Sequence, residues 1–443
     1  MSDVLARDYP AHLTAVRRHF DTAMQAAGCD QVAVYAGALH YQFLDDAPYP
    51  FKINPQFKWW LPLTEAHDSF VVYGAGKKPA LIYFQPDDYW HVPPAPPAGY
   101  WVEHFDIRVV KQAADAKAAL PPATKRAFIG EWREEFAGWG FAAVNPESLL
   151  NPLHYVRAAK TTYELECMRR ASASGVRGHL AAEKAFRAGA SEYEIHEAFV
   201  MGSGQADDQQ AYHAIVALNE HAATLHYQHW QQQKPAAYHS FLIDAGTQFQ
   251  GYASDITRTY SARGDEFQAL IDAMDHEQQA LAAKVKPGVD FKALHVETHH
   301  AVARILEKTN LVKLPAEAIV DARISSAFFP HGLGHLLGLQ VHDVGGHQAG
   351  PAGGAMARPE GHPYLRTTRV LEEGYVVTIE PGLYFIDALL GELKASDNSR
   401  FVDWGKVDAF RKFGGIRIED DVVAKAAGPE NMTRDAFRAA SAS

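Results

Sequence analysis

The chain has 443 residues, of which 47% are hydrophobic and 21% are charged, a composition typical of a soluble globular protein. This length exceeds what one hydrophobic core usually supports, so at least two domains are expected. The formal net charge of -11 argues against nucleic acid or an anionic membrane as the main partner, because both attract basic surfaces.

Cysteine content and hydropathy indicate the compartment. Cys29 and Cys167 are too few for a disulfide framework or a thiolate metal site. The N-terminal sequence has no apolar stretch of signal-peptide length, and no window approaches the roughly 20 apolar residues that span a bilayer. We therefore expect a cytoplasmic protein.

The first part of the chain alternates short apolar runs with turn and helix patterns. A helical pattern covers 9–27, and strand-like runs follow at QVAVYAG, FVVYGAG, PALIYFQ and RAFIGE, the mixture expected of an α/β unit. Loop-like sequence then leads to Thr161, Thr162 and Glu164, which together are typical of a helix start. We predict an N-terminal α/β domain over 1–160 and a second domain over 161–443.

The second domain is predicted to mix helices and strands. Helices reach to about Met201, a hairpin follows, helices cover 264–308, and short strands broken by glycine come next. The Gly- and Pro-rich segment 347–364 is expected to be an ordered surface loop. The tail after Val423 is expected to be frayed.

The hairpin carries two aspartates, although aspartate is depleted in strands. Asp244 follows the apolar run FLI, and Asp255 lies eleven residues later within the alternating run 252–260. A hairpin symmetric about Phe249 and Gln250 would place the aspartates directly opposite one another, with Cβ atoms about 4.5–5.5 Å apart. Cations between the two carboxylates would offset their repulsion and the cost of burial. In the alternative interpretation, Asp244 only opens the turn and Asp255 faces solvent.

Histidines cluster in the segment FPHGLGHLLGLQVHD. His331, His335 and His342 fall within twelve positions, among glycines that let the backbone approach closely. The i,i+4 pair of histidines resembles a zinc-protease helix, but Gly332 stands where that helix has its catalytic glutamate. We reject the zinc-protease interpretation.

Two glutamates complete a candidate metal site. Glu380 ends an apolar strand, and Glu419 lies in an alternating strand two residues after Arg417. Each alone would be interpreted as a solvated acid. Together with two aspartates and one histidine, they form a mostly oxygen donor set that suits manganese or cobalt at least as well as zinc. Such a set has the capacity for two ions.

The segments DAGTQFQGYASDITRTY, HGLGHLLGLQVHD, TIEPGLYF and GIRIEDDVV occur in an order and spacing that resemble the pita-bread metallopeptidases. Within that family the chain is similar to bacterial prolidases, the Xaa-Pro dipeptidases, over nearly its full length. The N-terminal segments FLDDAPYPFKINPQFKWWLPL and PDDYWH resemble prolidases and separate the chain from methionine aminopeptidases. The resemblance implies a creatinase-like α/β domain followed by a pita-bread catalytic domain, usually in a homodimer.

The resemblance also implies the metal ligands, with Asp255 and Glu419 bridging two divalent ions in each subunit. The five ligands are Asp244, Asp255, His335, Glu380 and Glu419. We expect Mn²⁺, with Co²⁺ or Zn²⁺ as alternatives. Such ions lower the pKa of water toward about 7 and polarise a scissile carbonyl.

Catalytic and substrate-binding roles follow from the same resemblance. Glu380 is expected to pass a proton from water to the leaving proline nitrogen. His226 and His342 match histidines around the substrate and intermediate, and Arg417 is expected to act near the second metal. A purely structural role is the alternative for each histidine.

A free dipeptide carboxylate requires a cationic pocket. Arg366 occupies the position of the prolidase arginine that binds this group, and His331 is expected to join it. Tyr212 resembles a tyrosine that lines the pocket.

Two N-terminal residues resemble those that close the amino end of the site in this family. They are Asp45, for which Asp46 is an alternative, and Trp90, for which core packing is an alternative. They act in their own subunit or in the partner's site.

The leading hypothesis is a dinuclear metallo-dipeptidase that cleaves Xaa-Pro dipeptides with proline at the C-terminal position. An Xaa-Pro aminopeptidase acting on longer peptides would share every ligand, but Arg366 favours the dipeptidase. Relatives of this type also hydrolyse organophosphorus triesters, so the resemblance implies such triesters as a side substrate. A non-catalytic pita-bread binding protein is disfavoured because all five ligand positions are retained.

Overall fold

A computed structural model describes residues 4–442, and they form two compact units. The first unit extends to Cys167 and includes Phe249–Tyr252 and Gln348–Gly354, while the second contains the other segments from Met168 onward. The boundary that the sequence predicts, at 160/161, lies just before the helix in which this division falls.

The first unit is built on a six-stranded mixed sheet. Its strands lie in the order β4-β3-β2-β1-β5-β6, and β1 pairs antiparallel with β2 and parallel with β5. The strands are β1 (Gln31–Tyr35), β2 (Phe70–Gly74), β3 (Ala80–Phe84), β4 (Asp106–Val110), β5 (Arg126–Ile129) and β6 (Phe141–Val144). The helices are α1 (Val4–Ala27), α2 (Pro55–Lys58), α3 (Ala116–Ala119) and α4 (Glu147–Val156). The strands predicted from the four apolar runs are therefore confirmed.

Helix α1 forms because its apolar residues recur every three or four positions. Tyr9, Leu13, Val16 and Phe20 are all buried, so one stripe of the helix packs inward. The predicted helix at 9–27 is confirmed and begins earlier, at Val4.

The second unit contains most of the helix that follows, α5 (Thr162–Arg187). A capping box starts α5, because Thr161 N–H donates to Glu164 Oε2 at 2.8 Å and Glu164 N–H donates to Thr161 Oγ1 at 3.4 Å. The later helices are α6 (Glu192–Ser203), α7 (Glu266–Ala282), α8 (Phe291–Lys308), α9 (Ala316–Asp321), α10 (Ile324–Phe328), α11 (Asp387–Ala395), α12 (Trp404–Phe410) and α13 (Met432–Ser441).

Short strands of the second unit form small sheets, ordered β11-β8-β7, β14-β17-β18 and β15-β16. The pairs β9-β10 and β12-β13 include residues of the segments Phe249–Tyr252 and Gln348–Gly354, which belong to the first unit. All these strands are β7 (Ile215–Leu218), β8 (Ser240–Asp244), β9 (Gln248–Phe249), β10 (Tyr252–Ala253), β11 (Thr257–Ser261), β12 (Gln348–Gly350), β13 (Gly353–Ala355), β14 (Val376–Ile379), β15 (Gly382–Tyr384), β16 (Gly415–Arg417), β17 (Asp420–Val423) and β18 (Glu430–Asn431).

The hairpin register differs from the prediction. Strands β8 and β11 pair so that Asp244 faces Thr257, and the prediction that Asp244 and Asp255 lie directly opposite is wrong. The turn residues are Gln250 and Gly251, both at positive φ (52° and 83°), one position later than the predicted centre. The pairing therefore shifts by two residues, which keeps both aspartates on one face because side chains alternate with period two.

The tail is ordered, so the predicted frayed end after Val423 is wrong. Strand β18 and helix α13 follow, and Asn431 caps α13 by accepting from Arg434 N–H at 2.8 Å. Arg434 Nε in turn donates to the fully buried Asp420 at 2.8 Å. This buried ion pair anchors the helix to β17.

The core of the second unit is aromatic and aliphatic. Helices α7 and α8 pack against β15 and α12, and the rings of Phe267 and Phe413 stack with centroids 4.3 Å apart.

Over residues 4–442, no helix combines the length and apolar character needed to cross a bilayer.

Candidate metal centre

Four strand ends and one irregular segment supply the predicted ligands, all within the second unit. Asp244 ends β8, Asp255 lies between β10 and β11, Glu380 follows β14, and Glu419 stands between β16 and β17. The Glu419 N–H donates to Thr257 O at 3.1 Å, which ties Glu419 to the aspartate hairpin.

His335 reaches the site on a non-helical segment that follows α10 and pairs with β14. Thr378 N–H donates to His335 O at 3.0 Å, and His335 N–H donates to Thr378 Oγ1 at 3.0 Å. Rejection of a zinc-protease helix is therefore confirmed. The Nδ1–H of His335 donates to Leu336 O at 3.1 Å, so Nε2 is the nitrogen available to a metal.

The ligand atoms converge. One atom each of Asp255, His335 and Glu419 lies within 4.8 Å of the others. The His335 Nε2 is 3.3 Å from Asp255 Oδ2 and 3.7 Å from Glu380 Oε1. The fifth ligand, Asp244, is linked to Asp255 through Tyr212. The Tyr212 Oη lies 2.7 Å from Asp244 Oδ1 and 2.5 Å from Asp255 Oδ1.

The electrostatics favour a cation among these groups. Burial and the neighbouring carboxylates raise the pKa of Glu380 to about 7 and that of Glu419 well above its ordinary value. Burial and Asp255 also raise the pKa of Asp244, against the opposing charge of Arg417. A bound cation would stabilise the ionised form of these buried carboxylates. Four carboxylates with one imidazole also form a donor set for divalent metals.

Asp255 and His335 behave as an ion pair. Burial disfavours both charges, but the contact between the two side chains lowers the pKa of Asp255 and raises that of His335 to about 9. A metal ion at Nε2 would replace the proton that His335 otherwise holds there.

Arg417 lies beside the ligands and orders a hydrogen-bond chain. It donates from Nη2 to Asp244 Oδ2 at 2.8 Å and from Nη1 to Tyr384 Oη at 2.9 Å. Tyr384 Oη is 2.9 Å from His331 Nε2, and His331 Nδ1 donates to Gly332 O at 2.8 Å. Burial and Arg417 lower the pKa of His331 to about 3, so this ring is neutral.

Three further predicted residues are exposed: His226, His342 and Arg366. The His342 ring lies perpendicular to the His335 ring with centroids 4.4 Å apart. Partial burial and His335 lower the pKa of His342 to about 4, and the neighbouring Arg366 and His226 contribute to the shift. His226 and Arg366 are therefore near His342.

The two N-terminal candidates are exposed in the first unit. Asp45 Oδ1 accepts from the N–H groups of Asp46 and Ala47 at 2.7 and 3.3 Å. Trp90 is 77% exposed and contacts Tyr89. Core packing, the alternative for Trp90, is therefore excluded.

Sequence reasoning missed Asp421, which supports the site from behind. Its carboxylate accepts from the Asp255 N–H at 3.1 and 3.3 Å and from Ser172 Oγ at 3.3 Å. The sequence carried a signal for it, because an aspartate pair opening the apolar strand DDVV is unusual. Tyr384 was also missed, since a tyrosine in an apolar strand is ordinary.

Family models match both units. The model of the Xaa-Pro dipeptidase N-terminal domain matches residues 7–155, and the model of metallopeptidase family M24 matches residues 166–426. The chain belongs to metallopeptidase family M24. Membership confirms the predicted enzyme class, a metallopeptidase, and implies divalent metal at the carboxylate site.

Curated relatives are similar in sequence to this M24 chain over nearly its full length. The Xaa-Pro dipeptidases of Stenotrophomonas maltophilia (strain K279a) and Xanthomonas axonopodis pv. citri (strain 306) are each 50% identical over 434 residues, which is 98% of this chain and 98% of each relative. The predicted resemblance to this group is confirmed.

Solved structures show the same fold. Aminopeptidase P from E. coli with the inhibitor Pro-Leu superposes with a TM-score of 0.73 at 22% identity, covering 100% of both chains. Pseudomonas aeruginosa aminopeptidase PepP gives a TM-score of 0.72 at 22% identity, over 97% of this chain and 99% of that one. The predicted fold class, a creatinase-like α/β domain followed by a pita-bread domain, is confirmed.

Proposed function

We propose that the chain hydrolyses Xaa-Pro dipeptides with proline at the C-terminal position, using two divalent ions. The observation that carries the proposal is the convergence of Asp255, Glu380 and Glu419 on His335 in an M24 chain, with Asp244 joined to Asp255 through Tyr212. It is supported by relatives at 50% identity that bear the name Xaa-Pro dipeptidase.

The five predicted ligands would hold the ions, with Asp255 and Glu419 shared between them. Bound ions of this kind lower the pKa of water and polarise a carbonyl. Mn²⁺ is proposed because oxygen ligands dominate the set. Tyr212, which is predicted to line the substrate pocket, contacts Asp244 and Asp255, and we propose that it also orients these two ligands.

Glu380 is proposed to move the proton. One of its oxygens is 3.7 Å from His335 Nε2 and the other is 3.9 Å from His331 Nδ1, so its carboxylate faces the ligand cluster from one side. It would accept a proton from the attacking water and deliver it to the proline nitrogen, since general acid–base transfer requires such direct reach.

The substrate carboxylate is assigned to Arg366. Its exposed guanidinium lies near His342, whose pKa it lowers, and an arginine binds a carboxylate through two parallel hydrogen bonds. His331 is neutral and both its ring nitrogens have partners, so the positive charge of the pocket comes from Arg366. His226 and His342 would contact the substrate beside it.

Arg417 is proposed to keep Asp244 ionised and oriented. Its two hydrogen bonds fix Asp244 and Tyr384 at once, which positions a ligand through a partner outside the metal shell. Closure of the amino end by Asp45 and Trp90, a homodimer, and organophosphorus triesters as side substrates stay predictions.

The deciding experiment compares Ala-Pro with Ala-Pro-Ala as substrates of metal-stripped protein, with and without Mn²⁺. Mn²⁺-dependent cleavage of Ala-Pro alone is expected. Cleavage of both peptides would replace the dipeptidase with an aminopeptidase. Cleavage of neither, with metal bound, would overturn the proposal.

A further inference from the structure

Three histidines of the second unit bring their rings together away from the carboxylate site. His295 and His299 lie one turn apart on α8, and His362 lies in the Gly- and Pro-rich segment before β14. One ring nitrogen from each lies within 4.8 Å of the others. The ring centroid of His295 lies 5.0 Å from that of His299 and 4.6 Å from that of His362, and the centroids of His299 and His362 are 4.5 Å apart. We call these residues the histidine trio.

Hydrogen bonds place the protons of two members of the trio, His295 and His362. Leu333 N–H donates to His295 Nδ1 at 3.2 Å, so the proton of neutral His295 is on Nε2. That Nε2–H donates to His362 Nδ1 at 3.0 Å. His299 Nδ1 lies 3.1 Å from Ser325 Oγ.

The remaining nitrogen of His299 is unexplained. His299 is 2% exposed, yet its Nε2 has no hydrogen-bond partner among the described residues. Buried polar atoms are almost always paired, so this nitrogen can accept a water molecule or a metal ion. The other ring nitrogen, Nδ1, contacts Ser325 Oγ. A metal-binding histidine usually has such a hydrogen-bond partner on the nitrogen that does not bind the metal.

The surroundings keep the rings neutral. Burial, with smaller contributions from neighbouring basic groups, lowers the pKa of His295 to about 2 and that of His299 to about 3. Neutral imidazole is the form that binds metal. Arg323 lies near His362 and opposes a cation, but its side chain is 61% exposed and lies 3.9 Å from Glu360.

We propose that the histidine trio is a second metal site, which takes one borderline divalent ion of the Zn²⁺ type. Three imidazoles with an open fourth position are a known zinc environment. The 3.0 Å between His295 Nε2 and His362 Nδ1 is close to the roughly 3.3 Å between two ligands of one tetrahedral zinc. The carboxylate site, with one imidazole, prefers harder ions.

Occupancy changes the tautomer of His295. Zinc at Nε2 requires the proton of that nitrogen to move to Nδ1. His299, binding through Nε2, would carry its proton on Nδ1 toward Ser325 Oγ, and His362 keeps its own on Nε2, so no net proton is released. The Nδ1–H of His295 then faces the Leu333 N–H, and the hydrogen bond between them is lost.

That loss reaches the carboxylate site through one residue, Leu333. Leu333 lies two residues before His335, and its carbonyl accepts from Glu380 N–H at 2.8 Å. Zinc at the trio would therefore disturb the backbone that positions His335 and Glu380. Inhibition by this route rests on the proposed function, whereas zinc binding does not.

Zinc stoichiometry tests the binding. In an Asp255→Asn, Glu419→Gln background, which weakens the carboxylate site, equilibrium dialysis with elemental analysis should find one zinc per chain. Adding His299→Ala or His362→Ala should remove it, and adding His300→Ala, a neighbour on α8 outside the trio, should not. Absence of zinc from the background protein, or retention after both trio substitutions, would overturn the site.

Folding does not obscure the result. If circular dichroism shows that His299→Ala fails to fold, the half-buried His362 carries the comparison alone. Co²⁺ in place of zinc should give visible absorption bands of a tetrahedral site, which disappear in His362→Ala.

A zinc titration of Mn²⁺-loaded wild type tests the coupling. Hydrolysis of Ala-Pro should fall while elemental analysis shows manganese retained, and His362→Ala should need at least about tenfold more zinc for half-inhibition. Equal sensitivity of the two proteins would overturn the coupling. If neither protein hydrolyses Ala-Pro, the proposed function fails, and the dialysis result still decides the site.

Discussion

Arg417 donates to Asp244 at 2.8 Å, and the two side chains are only 5% and 14% exposed. Removing one member of a buried charge pair leaves the other uncompensated. Without Arg417, burial and Asp255 would raise the pKa of Asp244 further, and a protonated aspartate is a poor metal ligand.

Arg417→Ala should therefore lose roughly 10- to 100-fold in metal affinity, with a matching loss of turnover at limiting Mn²⁺. Arg417→Lys keeps the charge and should recover part of the affinity. Titration of Mn²⁺ against activity measures both variants. Unchanged affinity in the alanine variant would remove Arg417 from the support of Asp244.

Asp255→Asn removes the proposed bridging carboxylate. Turnover should fall at least about 100-fold and bound manganese should drop below two per chain, because an amide oxygen is a weaker ligand and cannot bridge. The matched control is Asp272→Asn on the exposed face of α7, which should behave as wild type. Full activity in Asp255→Asn would end its bridging role.

The pH dependence of the metal's effect on stability has a definite sign. The pKa of Glu380 is raised from 4.5 to about 7, so its contribution to folding of the metal-free protein is lost as pH rises between those values. The pKa of His335 is raised from 6.5 to about 9, so the stability from its charged form is present below 6.5 and lost as pH rises through 9.

Bound metal displaces these protons, so Mn²⁺ binds more tightly as pH rises. The increase in Tm on adding Mn²⁺ should accordingly be larger at about pH 8 than at about pH 6. Thermal unfolding at both values, with and without Mn²⁺, measures it. An increase that is equal at the two values would mean that neither group binds the ion.

Much of the first unit could be predicted because its strands are short apolar runs between turn residues. The start of α5 could also be predicted, because the capping box of Thr161 and Glu164 joins residues only three positions apart. Such elements depend on interactions within a few residues, which the sequence displays directly.

The hairpin register could not be predicted, because it depends on a turn in which Gln250 has a positive φ. Glutamine does not favour that conformation by itself, and the pairing of the strands imposes it. The order of the tail depends on Arg434 reaching the distant Asp420, a contact that local sequence does not show. The ligand set came from the resemblance, while the contacts of Tyr212, Tyr384 and Asp421 required the fold.

Arg366→Ala tests substrate recognition separately from metal binding. The KM for Ala-Pro should rise roughly 10- to 100-fold, the effect of losing hydrogen bonds between charged groups, while manganese content stays constant. Arg366→Lys should lie between the alanine variant and wild type, because it keeps charge and loses the paired geometry. An unchanged KM would place the substrate carboxylate elsewhere.

Gly334 allows the His335 segment to lie against β14. A Cβ at Gly334 would stand 2.0 Å from Thr378 O, so alanine must push the segment off the strand and break the hydrogen bonds that position His335. Gly334→Ala should destabilise the protein by about 1–3 kcal/mol or more and lower metal affinity in the protein that folds.

The control for Gly334→Ala is Gly391→Ala within α11, where a Cβ meets nothing within 4 Å and alanine should stabilise the helix by about 0.5–1 kcal/mol. Urea unfolding of both variants gives the free energies, and Mn²⁺ titration gives the affinities. If Gly334→Ala matched wild type in both, the close approach to β14 would not be what holds His335 in place.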